Sequence, residues 1–162
     1  MDEDKDGLFD CQDPDCFDSK VCQGVWCQTA LPVNAGVPIG QADSGLALSY
    51  EGKTGGIYDN YHAGCNDGAL CFAPEAVWKF ELSSPMLVSV AHEFKDFFKQ
   101  PILYVRGADC CPTSELGCAQ NNPAVLTSML LQPGVYFLFV DGHIRFYTDP
   151  PVGDVSWRIG RD

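Results

Sequence analysis

Positive charge is scarce in this chain. Ten lysines and arginines face 22 aspartates and glutamates, a formal charge of −12 over 162 residues. Nucleic acid is bound through clustered lysine and arginine, so it is excluded as a partner, and cations are the natural ones. Long apolar runs are missing as well. No stretch approaches the roughly 18 residues that a membrane-spanning helix needs, and no secretory leader is legible. Histidine occurs three times, at His62, His92 and His143, in poor contexts for acid–base work. His92-Glu93 starts like a zinc-protease helix, but Asp96 stands where the second histidine is required. Ser44-Gly45 lacks the preceding Gly-x of a nucleophile elbow. Glu51-Gly52-Lys53-Thr54-Gly55-Gly56 lacks the first glycine and four-residue gap of a phosphate loop. No Cys-x-x-Cys-His occurs, so covalent haem is not indicated. Carboxylates are plentiful enough for a glycosidase pair, but a metal site accounts for them. The sequence therefore predicts a protein that is not an enzyme.

What is present begins with aspartate. Asp2, Asp4, Asp6, Asp10, Asp13 and Asp15 crowd the first fifteen residues around one glycine, Gly7. With Asp2 as position one of a twelve-residue loop, carboxylates fall at positions one, three, five, nine and twelve, with Gly7 at the sharp turn and the carbonyl of Leu8 at seven. Calcium takes about six to eight oxygen ligands, and a tightly curved backbone dense in carboxylates supplies them. The predicted metal ligands are Asp2, Asp4, Asp6, Leu8, Asp10 and Asp13. Asp13 is shorter than the usual closing glutamate, so weak affinity suited to calcium-rich extracellular fluid is expected.

Nine cysteines, at 11, 16, 22, 27, 65, 71, 110, 111 and 118, are too many for a reduced cytosolic domain. Their spacing is wider than that of zinc sites. Disulfides are expected, with local loops from Cys65 to Cys71 and from Cys118 to Cys110 or Cys111. The four cysteines between 11 and 27 are expected to pair among themselves. The odd count leaves one thiol free or joined to another chain. Met1 stands directly before the acidic loop, which suggests a segment excised from a longer parent.

Three regions separate by composition: a Cys- and Asp-rich segment at 1–29, a Pro-, Gly- and Ala-rich linker at 30–45, and a domain at 46–162. A chain of this length buries roughly 68–70 per cent of its unfolded surface, enough for one core. Ala76, Trp78, Phe80 and Leu82 alternate with Val77, Lys79 and Glu81 as in a half-buried strand. Further strands read at Met86 to Val90, Ile102 to Val105, Val125 to Leu131, Val135 to Val140 and Val155 to Ile159. The run from Val135 to Val140 is apolar on both faces, which predicts a central strand. Turn signals lie at Gln132-Pro133-Gly134, Asp141-Gly142 and Asp149-Pro150-Pro151-Val152-Gly153. The one helical candidate is His92 to Gln100, where Phe94, Phe97 and Phe98 fall at helical spacing. Those phenylalanines, with Trp26, Tyr58, Tyr61 and Phe72, are candidates for an aromatic binding face.

Thr54-Gly55-Gly56, Asp59-Asn60-Tyr61, Ala76-Val77-Trp78-Lys79-Phe80, Leu103-Tyr104-Val105-Arg106, Glu115-Leu116-Gly117-Cys118 and Leu131-Gln132-Pro133-Gly134-Val135-Tyr136-Phe137 through Val140-Asp141-Gly142 carry a resemblance. Residues 52 to 160 resemble the bacterial pre-peptidase C-terminal domain, a calcium-associated β-sandwich that accompanies secreted proteases and other exported proteins. Asp10-Cys11-Gln12-Asp13-Pro14-Asp15-Cys16 is similar to a thrombospondin type 3 calcium repeat. The resemblance implies an all-β, jelly-roll-like antiparallel sandwich behind a short irregular calcium loop. A second calcium site implied by it would draw on Asp59, Asp67, Asp109 or Asp141.

The expected protein is thus a calcium-binding, disulfide-bonded module, secreted or at the cell surface. Its expected role is non-catalytic binding or adhesion, with a surface polysaccharide or a cell-surface protein as partner. The alternatives are a subunit of a calcium-dependent fibre or coat, which requires self-association, and an accessory domain of a secreted protease.

Overall fold

A computed structural model describes residues 27–40, 47–53, 61, 63–65, 76–94, 100–110, 112–143 and 152–159. Its strands are β1 (Leu31–Pro32), β2 (Ala47–Lys53), β3 (Ala76–Leu82), β4 (Met86–Phe94), β5 (Gln100–Arg106), β6 (Glu115–Gln120), β7 (Ala124–Leu131), β8 (Gly134–His143) and β9 (Val152–Ile159). They form two sheets, ordered β1-β3-β8-β5-β6 and β2-β9-β4-β7. Setting β1 aside, the orders 3-8-5-6 and 2-9-4-7 are those of a jelly roll, the closed pair of Greek keys by which all-β chains limit exposed sheet edges. Among the named strands all pairings are antiparallel except that of β1 with β3.

Alternation decides which side chains enter the core. On β3, Ala76, Trp78, Phe80 and Leu82 point between the sheets, where they meet Val88 and Val90 of β4, Leu103 and Val105 of β5, and Leu138 and Val140 of β8. β8 lies in the middle of its sheet, as its two apolar faces predict. Its Tyr136, Leu138 and Val140 join the inter-sheet core, while Phe137 and Phe139 join a second cluster on the outer face with Val77, Ile102 and Tyr104. Tyr136 also stacks on Phe80 at 5.4 Å and donates its hydroxyl proton to the Gln132 carbonyl at 2.6 Å, closing the turn before β8.

β7 changes face midway. Val88 pairs with Met129 but Val90 pairs with Leu126, so Thr127 and Ser128 together oppose Ser89. This is a β-bulge. It turns Ala124 and Leu126 inward before it and Leu131 inward after it, with Met129 packed on the same core. Ser128 takes a left-handed backbone, φ 54°, and donates its N–H to the Ser89 hydroxyl oxygen at 3.0 Å. Ser128→Val should lower stability by about 1–2 kcal/mol because a branched residue resists that conformation. Ser128→Gly should be near neutral. Denaturant midpoints of the two variants check this.

Three expectations change. The helix read across His92 to Gln100 gives way to strand at both described ends: His92 to Phe94 close β4 and Gln100 opens β5. His92 is buried, so the pattern that looked helical begins inside a sheet. Asp141-Gly142, read as a turn, continues β8, because Ile102 and Pro101 of β5 pair with them. Within the stretch read as a linker, Leu31–Pro32 extends the larger sheet, a 3-10 turn follows at Val33–Gly36, and Ile39 bridges to Leu82. Val33 and Ile39 are buried in the core.

Candidate functional site

Over its middle the outer face of the larger sheet is apolar and shielded from water, while Lys79 and Glu81 of β3 reach solvent at one end of it. Val77, Ile102, Tyr104, Phe137 and Phe139 are buried there under Cys27 and Ala63, with Ala30, Tyr61, Cys65, Cys110 and Cys118 packed around them. A sheet face this apolar needs a cover. The irregular residues 27–30, Tyr61 and 63–65 supply it.

Cross-links hold the cover in place. Cys27 is bonded to Cys110 and Cys65 to Cys118, with Cα–Cα separations of 6.5 and 5.7 Å. These pairings replace the expected ones. Cys65 joins Cys118 rather than Cys71, Cys118 joins neither Cys110 nor Cys111, and Cys27 does not pair within the amino-terminal group. The reason is the sheet register. Cys118 sits on β6 opposite Tyr104, facing outward under the 61–65 segment, whereas Cys110 lies in the loop beyond the end of β5. Short loops favour closure in an unfolded chain, but the folded sheet decides which sulfurs meet.

Arg106 lies at the centre of this arrangement. It ends β5 directly after the run Pro101-Ile102-Leu103-Tyr104-Val105, and it has no solvent exposure. Its guanidinium carbon lies 4.9 Å from the Tyr104 ring centre, 5.0 Å from Phe139 and 5.7 Å from Tyr61, within the range of cation–π attraction. Tyr104 and Phe139 stack at 4.6 Å, and Tyr61 meets Phe139 edge-on at 4.9 Å. A buried cation needs compensation. One guanidinium nitrogen donates to the Cys110 carbonyl at 3.3 Å, and another lies 3.9 Å from a Glu115 carboxylate oxygen.

Glu115 and its neighbours extend the network to the covering segments. The Gly64 N–H donates to both Glu115 oxygens, at 3.1 and 3.0 Å. The Gln120 amide donates to the Cys65 carbonyl. The Cys27 N–H donates to the Tyr61 hydroxyl at 3.2 Å. The loop after β5 closes on itself through Gly107 N–H to Ser114 carbonyl and Cys110 N–H to Gly107 carbonyl. Residues far apart in sequence, 27–30, Tyr61 with 63–65, and those of β6 and the loop at 107–110, are thereby tied together on the outer face.

Of the predicted metal ligands, Asp2, Asp4, Asp6, Leu8, Asp10 and Asp13 all lie outside the described residues. Among the second-site candidates, Asp59 and Asp67 also lie outside them. Asp141 is wholly buried opposite Ile102, and Asp109 is exposed in the loop beyond Arg106. These two lie at opposite ends of β5, and among the described residues no group of three or more metal-ligating side chains occurs. Of the aromatic candidates, Tyr61 is part of the buried stack and Phe94 ends β4. Trp26, Tyr58, Phe72, Phe97 and Phe98 lie outside the described residues. Sequence reasoning singled out neither Arg106 nor Glu115 as functional. The available signal was an arginine directly after the run Ile102-Leu103-Tyr104-Val105.

No family model matches the sequence, and no curated protein matches it. Among solved structures, the chain is similar to the pre-peptidase C-terminal domain of a collagenase from Bacillus anthracis, with a TM-score of 0.43 and 12% identity over 80% of this chain and 93% of that one. No helix among the described residues is long and apolar enough to cross a membrane.

Proposed function

We propose that this chain is a non-catalytic binding or accessory module of an exported protein, of the sort that works beside secreted proteases. The observation that carries the reading is the pair of disulfides, Cys27–Cys110 and Cys65–Cys118, across the covered outer face. Disulfides of this kind persist in oxidising compartments, which supports a secreted or cell-surface location. They also pin the irregular segments, and irregular segments are where proteases cut. A module so fastened suits a proteolytic environment and a role as scaffold, with polysaccharide or cell-surface protein as the class of partner.

Calcium belongs to the same reading. The acidic residues Asp2, Asp4, Asp6, Asp10 and Asp13, with the Leu8 carbonyl, supply the oxygen set that calcium takes. Cys27, which follows this segment in sequence, is bonded to the loop after β5. Bound metal stabilises whatever conformation holds it, so calcium would order the acidic segment beside a fixed anchor. Limited proteolysis tests this directly. With calcium in excess, residues 1–26 should resist cleavage, and a chelator should expose them to cleavage well before the sandwich. Equal cleavage of that segment with and without metal would refute the calcium part. Cleavage of the sandwich core at the same rate as that segment, with disulfides intact, would refute the scaffold part.

A further inference from the structure

Among the described residues, β7 bounds the four-stranded sheet and pairs with β4 on one side. It also carries two exposed large apolar side chains, Leu130 at 65% and Val125 at 44%. Edge strands usually carry charges or proline that discourage pairing with another chain. Here the run from Leu116 to Val140 contains no charged residue, in a chain that is 20% charged, and β7 itself contains no proline.

The bulge at Thr127–Ser128 is the one feature that would ordinarily turn an edge away. In β7 it has a second effect. Because the strand changes face there, Ala124, Leu126, Met129 and Leu131 turn to the core, while Val125, Thr127, Ser128 and Leu130 turn to solvent. Residues directly opposite in an antiparallel pair share a face. An unbulged strand paired with its own copy about an axis between two residues would set inward side chains against outward ones. The bulge removes that conflict. About an axis between Thr127 and Ser128, Ala124 meets Leu131, Leu126 meets Met129 and Val125 meets Leu130, each pair on one face.

We propose that two copies of this chain associate through antiparallel pairing of β7 with β7. The two four-stranded sheets then join into one of eight strands, with each Leu130 lying over Val125 of the second copy. Such a contact is isologous and closes as a dimer. Its self-complementary register favours a second copy over an unrelated strand. The inference goes beyond the proposed function and needs neither calcium nor a free thiol.

Sedimentation equilibrium of the oxidised protein, with calcium and with chelator, tests it. A monomer–dimer equilibrium independent of both is expected. Leu130→Lys and Val125→Lys should each weaken it by about a hundredfold, since a two-fold interface loses every contact twice. Leu130 is largely in solvent, so folding should be retained, and circular dichroism checks that. Hydrogen exchange of wild type should show concentration-dependent protection confined to residues 124–131. Monomer at all concentrations up to about 1 mM would overturn the proposal. So would a dimer that Leu130→Lys leaves unchanged, or one that the chelator dissolves.

Discussion

Replacing both Cys27 and Cys110 by alanine should lower the stability of the oxidised protein by about 3–4 kcal/mol, read from denaturant unfolding without reductant. The bond closes a sequence separation of 83 residues, and chain-entropy reasoning assigns a loop of that length about 4.5 kcal/mol. The Cys65–Cys118 bond, separation 53, crosses the first in sequence, so part of the unfolded chain stays constrained and the loss falls below the full figure. Native interactions change as well. Cys27 is a buried part of the outer cluster, and its release would loosen the Tyr61 hydroxyl contact made by its own N–H. Removing Cys65 and Cys118 should cost slightly less, because the loop is shorter. A loss below about 1 kcal/mol for the Cys27 and Cys110 pair would show that the outer face holds its cover without the cross-link.

Arg106→Ala should destabilise the fold by about 3 kcal/mol, comparable to losing a large core side chain. The substitution removes the group on which Tyr61, Tyr104 and Phe139 converge, and it leaves the Cys110 carbonyl without the donor that Arg106 supplies. The order of two further variants separates stacking from charge. Methionine fills the same volume among the rings without needing a counter-charge. Lysine keeps the charge but loses the flat guanidinium that lies against aromatic faces. We expect Arg106→Met to recover more stability than Arg106→Lys, because the Glu115 oxygen lies 3.9 Å away, at the limit of an ion pair. The reverse order would assign the site to the carboxylate.

Much of the fold was legible because alternation is a local property. Ala76 through Leu82 announced which side chains enter the core, and the two apolar faces of Val135 to Val140 announced a central strand. Strand pairing was not legible. The short turns at Ser83-Ser84-Pro85 and Gln132-Pro133 carry the chain from one sheet to the other, since β3 and β8 lie in one sheet and β4 and β7 in the other. The strands joined by these two turns therefore do not pair with each other, and β2 finds β9 from the far end of the chain. The bulge in β7 was hidden for a different reason, because the outward Val125 and Leu130 are as apolar as the inward residues beside them and mask the change of face.

The candidate site divides along the same line. A dense run of aspartates can be read from adjacent residues, and the proposed calcium loop rests on that run alone. Arg106, Tyr61 and Glu115 belong to three separate segments, and only folding sets Arg106 against the other two. The cysteines show the difference most plainly: their number indicated cross-linking, while their spacing suggested local loops that the folded sheet does not make.

The two crossed disulfides also govern how the molecule would bear a pull. Tension entering from the amino-terminal segment reaches Cys27 and passes through its sulfur to Cys110. It bypasses β1 through β5, whose strands lie inside that covalent loop. Of the backbone between Cys27 and Cys118, only the short stretch from Cys110 to Cys118 could lengthen while the bonds hold. Stretched between its termini, the protein should pay out far less chain than its length suggests, behaving as a short tether with a rigid knot in it.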